Sequence, residues 1–247
     1  SVPPVASSSL FHSSPTPLHP SCESDLVTLR EAIGHLPPLD AKSKLVDPDD
    51  EWHQVPRWND DHYFWLEHTP EGGTAFDNLA CVECEQVETD QTAVSCGACG
   101  APLPRPQKNG DGGIPRLIKG FRTSYRRLRW DAPGSTLTMN SGVISSDMKG
   151  HPDQNRVLSL KEIRILATID NRPGVEYPWH GKYQFTTKPE GLTGEDPPID
   201  ARLVRQVIGE SIPPLAMATI VRHLMELDGR FVEIDGTTSA GHVEMGS

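Results

Sequence analysis

The chain has 247 residues, enough for one large or two small domains with a sizeable core. Its 23 Pro and 21 Gly beside only 36% hydrophobic residues argue for loops and irregular structure over one regular sheet. No apolar run reaches membrane-spanning length, and a net charge of −11 argues against a simple nucleic-acid binder.

Residues 1–24 are rich in Ser and Pro and predict a disordered arm or linker. No basic region precedes an apolar core there, so no secretory signal is expected and the cytoplasm is the default compartment. In 25–39, Thr28 and Glu31 form a possible capping box for a short helix from Leu29 to Ile33, with Gly34 as its stop. Leu36, Pro37, Pro38 and Leu39 then leave as an extended turn, because a residue before Pro avoids the helix.

Residues 40–90 carry fourteen acids against Lys42, Lys44 and Arg57. Trp52, Trp58, Tyr63, Phe64 and Trp65 cluster there and suit a small core, or one of them suits stacking on a base. His53, His62 and His68 lie among them; lone histidines are more often surface or satisfied core residues than ligands.

Cys81, Cys84, Cys96 and Cys99 make two C-x2-C pairs separated by eleven residues. Two such knuckles bring four thiolates within tetrahedral reach of one Zn²⁺, and four protein ligands make a closed, structural site with no position for an activated water. Spacing and a reducing compartment favour zinc over two disulfides or free thiols.

The run from Asn109 to Gly113 is a loop signal, and 114–150 predicts short strands and loops. From Pro115 to Arg164 there are ten bases against Asp131, Asp147, Asp153 and Glu162. Such a stripe on an acidic protein suits phosphate contact, and a solvated face accounts for the same charges.

Ser159 and Glu162 form a second capping box, with Leu158 and Ile163 as a hydrophobic staple, and predict a helix to about Ile169. Residues 186–201 predict a loop. Pro214 suits a first helical turn. Met217, Ile220, Val221, Leu224 and Met225 follow at helical spacing, a stripe expected to pack against a core. The tail beyond Asp228 is expected to fray, and no internal repeat is present.

Three blocks resemble the DNA cytosine-5 methyltransferases in order. Arg129, Pro133, Thr136 and Thr138 fall where the family's ninth motif has R-x-x-x-P-x-x-T-x-T, followed by His151, Pro152, Arg156, Leu158, Ser159 and Glu162. The segment from Arg205 to Leu215 resembles the tenth motif, usually Q-x-x-G-N-x-V-P-P. That from Val27 to Pro38 resembles the helix and turn following the eighth motif. The family's Pro-Cys-Gln nucleophile loop, Glu-Asn-Val motif and glycine-rich cofactor turn are absent, and Cys22, the one Cys outside the cluster, lacks that context.

The resemblance implies an α+β chain: a small irregular target-recognition domain with a zinc ribbon, plus C-terminal helices that complete the α/β methyltransferase core of a partner chain or missing N-terminal half. Its expected divisions are 1–24 (arm), 25–39 (connecting helix and turn), 40–128 (recognition region, ribbon at 81–99), 129–185 (ninth-motif region and bracing helix), 186–201 (loop), 202–228 (tenth motif and helix) and 229–247 (tail). The implied activity is methyl transfer from S-adenosylmethionine to C5 of cytosine in a specific duplex sequence, with the nucleophilic Cys supplied by the missing half.

Gly209, Glu210, Ser211 and Ile212 would approach the methyl donor, although Glu210 stands where the family usually has Asn. Arg122, Arg126 and Arg127 are candidates for guanine edges or phosphates in double-stranded DNA. Arg129, Thr136 and Thr138 are candidate contacts too, although the family uses this motif mainly to organise structure. The alternative is a non-catalytic zinc-ribbon DNA-binding or regulatory module, which would have no need of a cofactor-facing turn.

Overall fold

The computed structural model describes residues 26–146, 148–182 and 199–227. The arm expected at 1–24, most of the loop expected at 186–201 and the tail expected at 229–247 lie outside them. Among the described residues, five α-helices and one two-stranded ribbon are set in long turns, short 3-10 turns and isolated bridges, in keeping with a mixed α+β chain: α1 Leu29–Ile33, α2 Asp60–Glu67, β1 Gln107–Asn109, β2 Pro115–Leu117, α3 Leu160–Leu166, α4 Ala201–Glu210 and α5 Pro214–Leu227. No helix among the described residues is long and apolar enough to cross a membrane.

Both expected capping boxes form. The Thr28 hydroxyl accepts from the Glu31 amide while Glu31 accepts from the Thr28 amide at 2.8 Å, and Ser159 and Glu162 repeat the exchange on α3. A five-residue helix cannot stand on propensity alone. α1 is held because the Leu29 and Arg30 amides donate to the Ala132 and Trp130 carbonyls, and because Leu29, Ala32 and Ile33 are buried.

One apolar core joins α1, α3 and α4. Leu29, Ala32 and Ile33 meet Leu128 and Trp130, Leu158, Leu160, Ile163 and Ile165, and Val204 and Ile208 of α4. Each fully buried aliphatic side chain there contributes about 1.5–3 kcal/mol. The three segments that carry the sequence resemblance thus share a single hydrophobic body.

A second core gathers Trp58, Trp65, Leu66, Ala75, Phe76 and Tyr125, with Tyr63 and Phe64 packed on its rim, so the aromatic run makes a core as expected except for Trp52, which packs against the first. Ile144 and Val157 belong to this second core, whereas Leu128 belongs to the first. The segment from Leu128 to Ile169 thus contributes to both cores.

Two helix expectations need correction. α3 ends at Leu166 rather than near Ile169. Thr168 turns left-handed (φ 57°), its amide donates to Ile165 O and the Ile169 amide to Arg164 O, both at 2.9 Å, a Schellman closure that satisfies the last carbonyls and returns Ile169 to the core. The stripe on α5 is not packed within the described residues: Met217, Ile220, Val221, Leu224 and Met225 are 40–58% exposed. α5 does open at Pro214. α4, opened by Asp200 accepting from the Arg202 and Leu203 amides, was not foreseen as a separate helix.

Candidate functional site

The four cysteines converge. Their sulfurs all lie within 4.8 Å of one another, with Cys81 to Cys99 and Cys84 to Cys96 each at 3.6 Å. A tetrahedron with Zn–S bonds of 2.3 Å has edges of about 3.8 Å, close to the two 3.6 Å separations, so the donor set suits one such ion. The two knuckles repeat the same backbone. Cys81 N donates to Gln86 O and Glu85 N to Cys81 O; fifteen residues on, Cys96 N donates to Ala101 O and Gly100 N to Cys96 O. Gly100 takes φ 79° and Glu85, at the matching place, takes φ 61°. The amides of Cys84 and Glu83 donate to the Cys81 sulfur and draw its thiol down to about 7, whereas, against the pull of the Gln86 amide, hydrogen bonds from the neighbouring sulfurs push Cys84 up to about 12 and Cys99 is also raised, so without a cation one thiolate is favoured over four.

The knuckle pair has a core of only Cys81, Cys96 and Leu103, with Ala93 and Ala101 beside it. It is fastened to the second core by residues that the sequence did not single out. Arg105 is 1% exposed and donates to Phe76 O, Ala93 O and Gln91 O. Asn78 donates to Trp65 O, Thr69 Oγ1 and Pro104 O. No sequence pattern marks an Arg whose acceptors come from two separate loops.

At the ninth-motif segment, Arg156 and Glu162 form a bidentate ion pair, both bonds 2.7 Å, with each side chain 1% exposed. Burial opposes ionisation of Glu162, but the Arg156 guanidinium and its hydrogen bonds hold the carboxyl at about 2. Arg205 of α4 crosses to the same place, donating to Leu158 O at 2.7 Å and Ser141 O at 3.2 Å, with its own pKa lowered to about 10 by burial. His53 closes the group, bonded to Ser159 Oγ and Pro37 O at 2.8 Å each. It is a satisfied core histidine. His62 packs on Trp65 and Tyr125, and exposed His68 meets Phe64 edge-on. Among the described residues the four cysteines are the one group that could hold a metal.

The four candidate cofactor residues straddle the end of α4: Gly209 and Glu210 are its last two residues, Ser211 is its C-cap and Ile212 comes next. Gly209 borders a cleft of about 540 Å³ lined also by Val27, Gly134, Thr136, Thr168, Ser211 and Leu215. A β-carbon on Gly209 would lie 2.2 Å from Met139 N and 2.3 Å from Thr138 C, so its missing side chain serves the junction between α4 and the ninth-motif segment. The Ser211 hydroxyl is turned back to Ile208 O at 2.9 Å. Glu210 is exposed, accepting from Gln206, and Ile212 is 56% exposed. Of the four, Gly209 and Ser211 line the cleft, while Glu210 and Ile212 are exposed beside it.

The candidate DNA residues do not form one patch. Arg127 is withdrawn from the surface: it is 4% exposed, with its donors spent on Thr69 O, Leu66 O, His151 O, Gln154 O and Asn155 Oδ1, and burial lowers its pKa to about 10. Its role is to tie α2 to the turn at 151–155. Arg122 is exposed and paired with Asp77, and Arg129 is exposed and forked onto Asp131 at 2.8 and 3.0 Å. Arg126 is half-buried. Thr136 is exposed, while its carbonyl accepts from Lys149 at 2.6 Å. Thr138 Oγ1 is buried and has no hydrogen-bond partner among the described residues.

No family model matches the chain. It is 29% identical over 214 residues to "Type II methyltransferase M1.HgaI" of Avibacterium volantium, covering 82% of this chain and 45% of that protein. It is 26% identical over 113 residues to "Type II methylase M.HgiDII" of Herpetosiphon aurantiacus, covering 46% of this chain and 26% of that protein. The chain spans less than half the length of these curated relatives.

Proposed function

We propose that this chain is the recognition half of a DNA cytosine-5 methyltransferase, working with a half that carries the Pro-Cys-Gln nucleophile on another chain or elsewhere on a longer polypeptide. The observation that carries this reading is the junction of the ninth- and tenth-motif segments. They meet in one core, with Gly209 pressed on the Thr138 and Met139 backbone and Arg205 bonded to Leu158 and Ser141. A free-standing DNA-binding module has no need of this junction or of the cleft edged by Gly209 and Ser211. The similarity to a Type II methyltransferase over most of the chain supports the same reading.

In this account the chain contributes three things. Residues 40–128 supply a DNA-reading surface, with Arg122 and Arg126 for phosphates or base edges, and Arg129 just beyond them adds a further exposed cation. The four cysteines hold a structural Zn²⁺, which compensates for a core too small to fold that loop alone. S-adenosylmethionine supplies the methyl group when bound. Gly209, Glu210, Ser211 and Ile212 present backbone, a carboxylate and an apolar side chain to it. The exposed apolar faces of α5 and of α4 at Leu203 and Val207 dock on the catalytic half.

Methyl transfer from tritiated S-adenosylmethionine to duplex DNA tests the reading. The chain alone is expected to be inactive and the mixture with the nucleophile-bearing half active. DNA binding with no transfer in the mixture would replace this reading with the non-catalytic module.

A further inference from the structure

The β1–β2 ribbon carries a feature that folding alone does not explain. It is a free-standing pair with register Gln107 to Leu117, Lys108 to Arg116 and Asn109 to Pro115. Lys108 and Arg116 are thus directly opposite, on one face, and both exposed. Like charges at opposed positions destabilise a sheet, and an isolated two-stranded ribbon has little stability to spare. Between the strands the Gly-rich turn presents Ile114 at 71% exposure, and just past β2 Phe121 is 83% exposed, the two most exposed large hydrophobic side chains among the described residues. Exposed Lys119 adds a further cation, and Asp111 is the one acid from Lys108 to Arg122.

The base of the ribbon is firm where the tip is free. Leu117 and Ile118 pack on the second core, Ile118 N donates to Pro106 O, and Gln107 donates to Leu103 O beside the cysteine knuckles. Cations on a rigidly footed ribbon, in a chain of net charge −11, complement a polyanion. A two-stranded ribbon also has the width to enter a DNA major groove.

We infer that this ribbon is a groove-entering DNA finger, with Lys108, Arg116 and Lys119 on the phosphates and Ile114 at the base edges. The inference rests on the proposed function, and it names contacts outside the arginines considered above. Phosphate contacts set the salt dependence of binding, whereas apolar contacts leave it unchanged.

The test is binding of the full chain to a mixed-sequence DNA duplex over a range of salt, with thermal unfolding measured in parallel. Lys108→Glu places a carboxylate opposite Arg116 and so keeps or raises the unfolding temperature. It is expected to weaken DNA binding at least about tenfold and to reduce the salt slope by about 1 to 2. Ile114→Ser is expected to weaken binding several-fold at unchanged slope. Lys44→Ala, an exposed cation in the acidic segment, is the control and changes neither. Wild-type binding matched by Lys108→Glu and Ile114→Ser would overturn the finger and leave the proposed function standing. Absence of duplex binding by the wild-type chain would overturn both.

Discussion

Gly209 abuts the backbone of Met139 so closely that a β-carbon there would lie 2.2 Å from the Met139 nitrogen. Backbone atoms on both sides cannot swing away as a flexible side chain would. Gly209→Ala is therefore expected to cost about 3 kcal/mol or more by prising α4 off the 136–139 segment. Denaturant unfolding measures the cost. A loss under about 1 kcal/mol would mean that the junction yields easily.

Thr168 occupies the left-handed position that ends α3, where Gly is the usual residue, and its hydroxyl accepts from the Leu215 amide of α5 at 3.1 Å. Thr168→Gly relieves backbone strain of about 1 kcal/mol and forfeits a helix-start hydrogen bond of similar size, so little net change is expected. Thr168→Asn keeps an acceptor in a residue that tolerates the conformation, and is expected to gain about 0.5 kcal/mol. Hydrogen exchange at the first turn of α5 should be faster in the Gly variant and not in the Asn variant.

The Arg156–Glu162 pair sets the acid limit of the fold. Glu162 falls from 4.5 to about 2 on folding, so its contribution is complete above about pH 4.5 and is lost as pH falls toward 2. Burial first, and then Arg156, push His151 from 6.5 down to about 3, against the pull of Glu162 and Asp153. It must stay neutral in the fold, so stability begins to fall below about pH 6.5. Unfolding free energy is expected to decline from pH 6.5 downward, and His151→Asn to flatten the upper part of that slope. Arg156→Leu, which strands Glu162 as a buried charge, should cost about 3–5 kcal/mol at neutral pH.

The knuckles predict one zinc per chain. Co²⁺ substituted at Cys81, Cys84, Cys96 and Cys99 should show the intense visible absorption of tetrahedral thiolate ligation, and a chelator should unfold the 79–105 segment before the rest. Glu85 adopts φ 61° where the second knuckle has Gly100, so Glu85→Gly is expected to stabilise the metal-bound unit by about 1 kcal/mol. Chelator competition measures it as slower metal loss.

Local signals in the sequence proved dependable. The capping residues Thr28, Glu31, Ser159 and Glu162 act within one turn of chain, and the cysteine spacing acts within one loop. What the sequence hid depends on distant partners. Arg127 read as a candidate DNA contact and Arg105 drew no reading, and the burial of both follows from carbonyls gathered from separate segments. The apolar face of α5 signalled packing against a core, and the structure leaves it 40–58% exposed among the described residues. The stop of α3 was missed because Thr168 gives no glycine-like signal for a left-handed residue.

The most direct measurement is nucleoside mass spectrometry of duplex DNA after incubation with S-adenosylmethionine and this chain, with and without the half that bears the Pro-Cys-Gln loop. The account predicts 5-methylcytosine in the mixture alone, and its loss when Gly209→Ala separates α4 from the ninth-motif segment. A methylated base other than 5-methylcytosine, or methylation by this chain unaided, would contradict it.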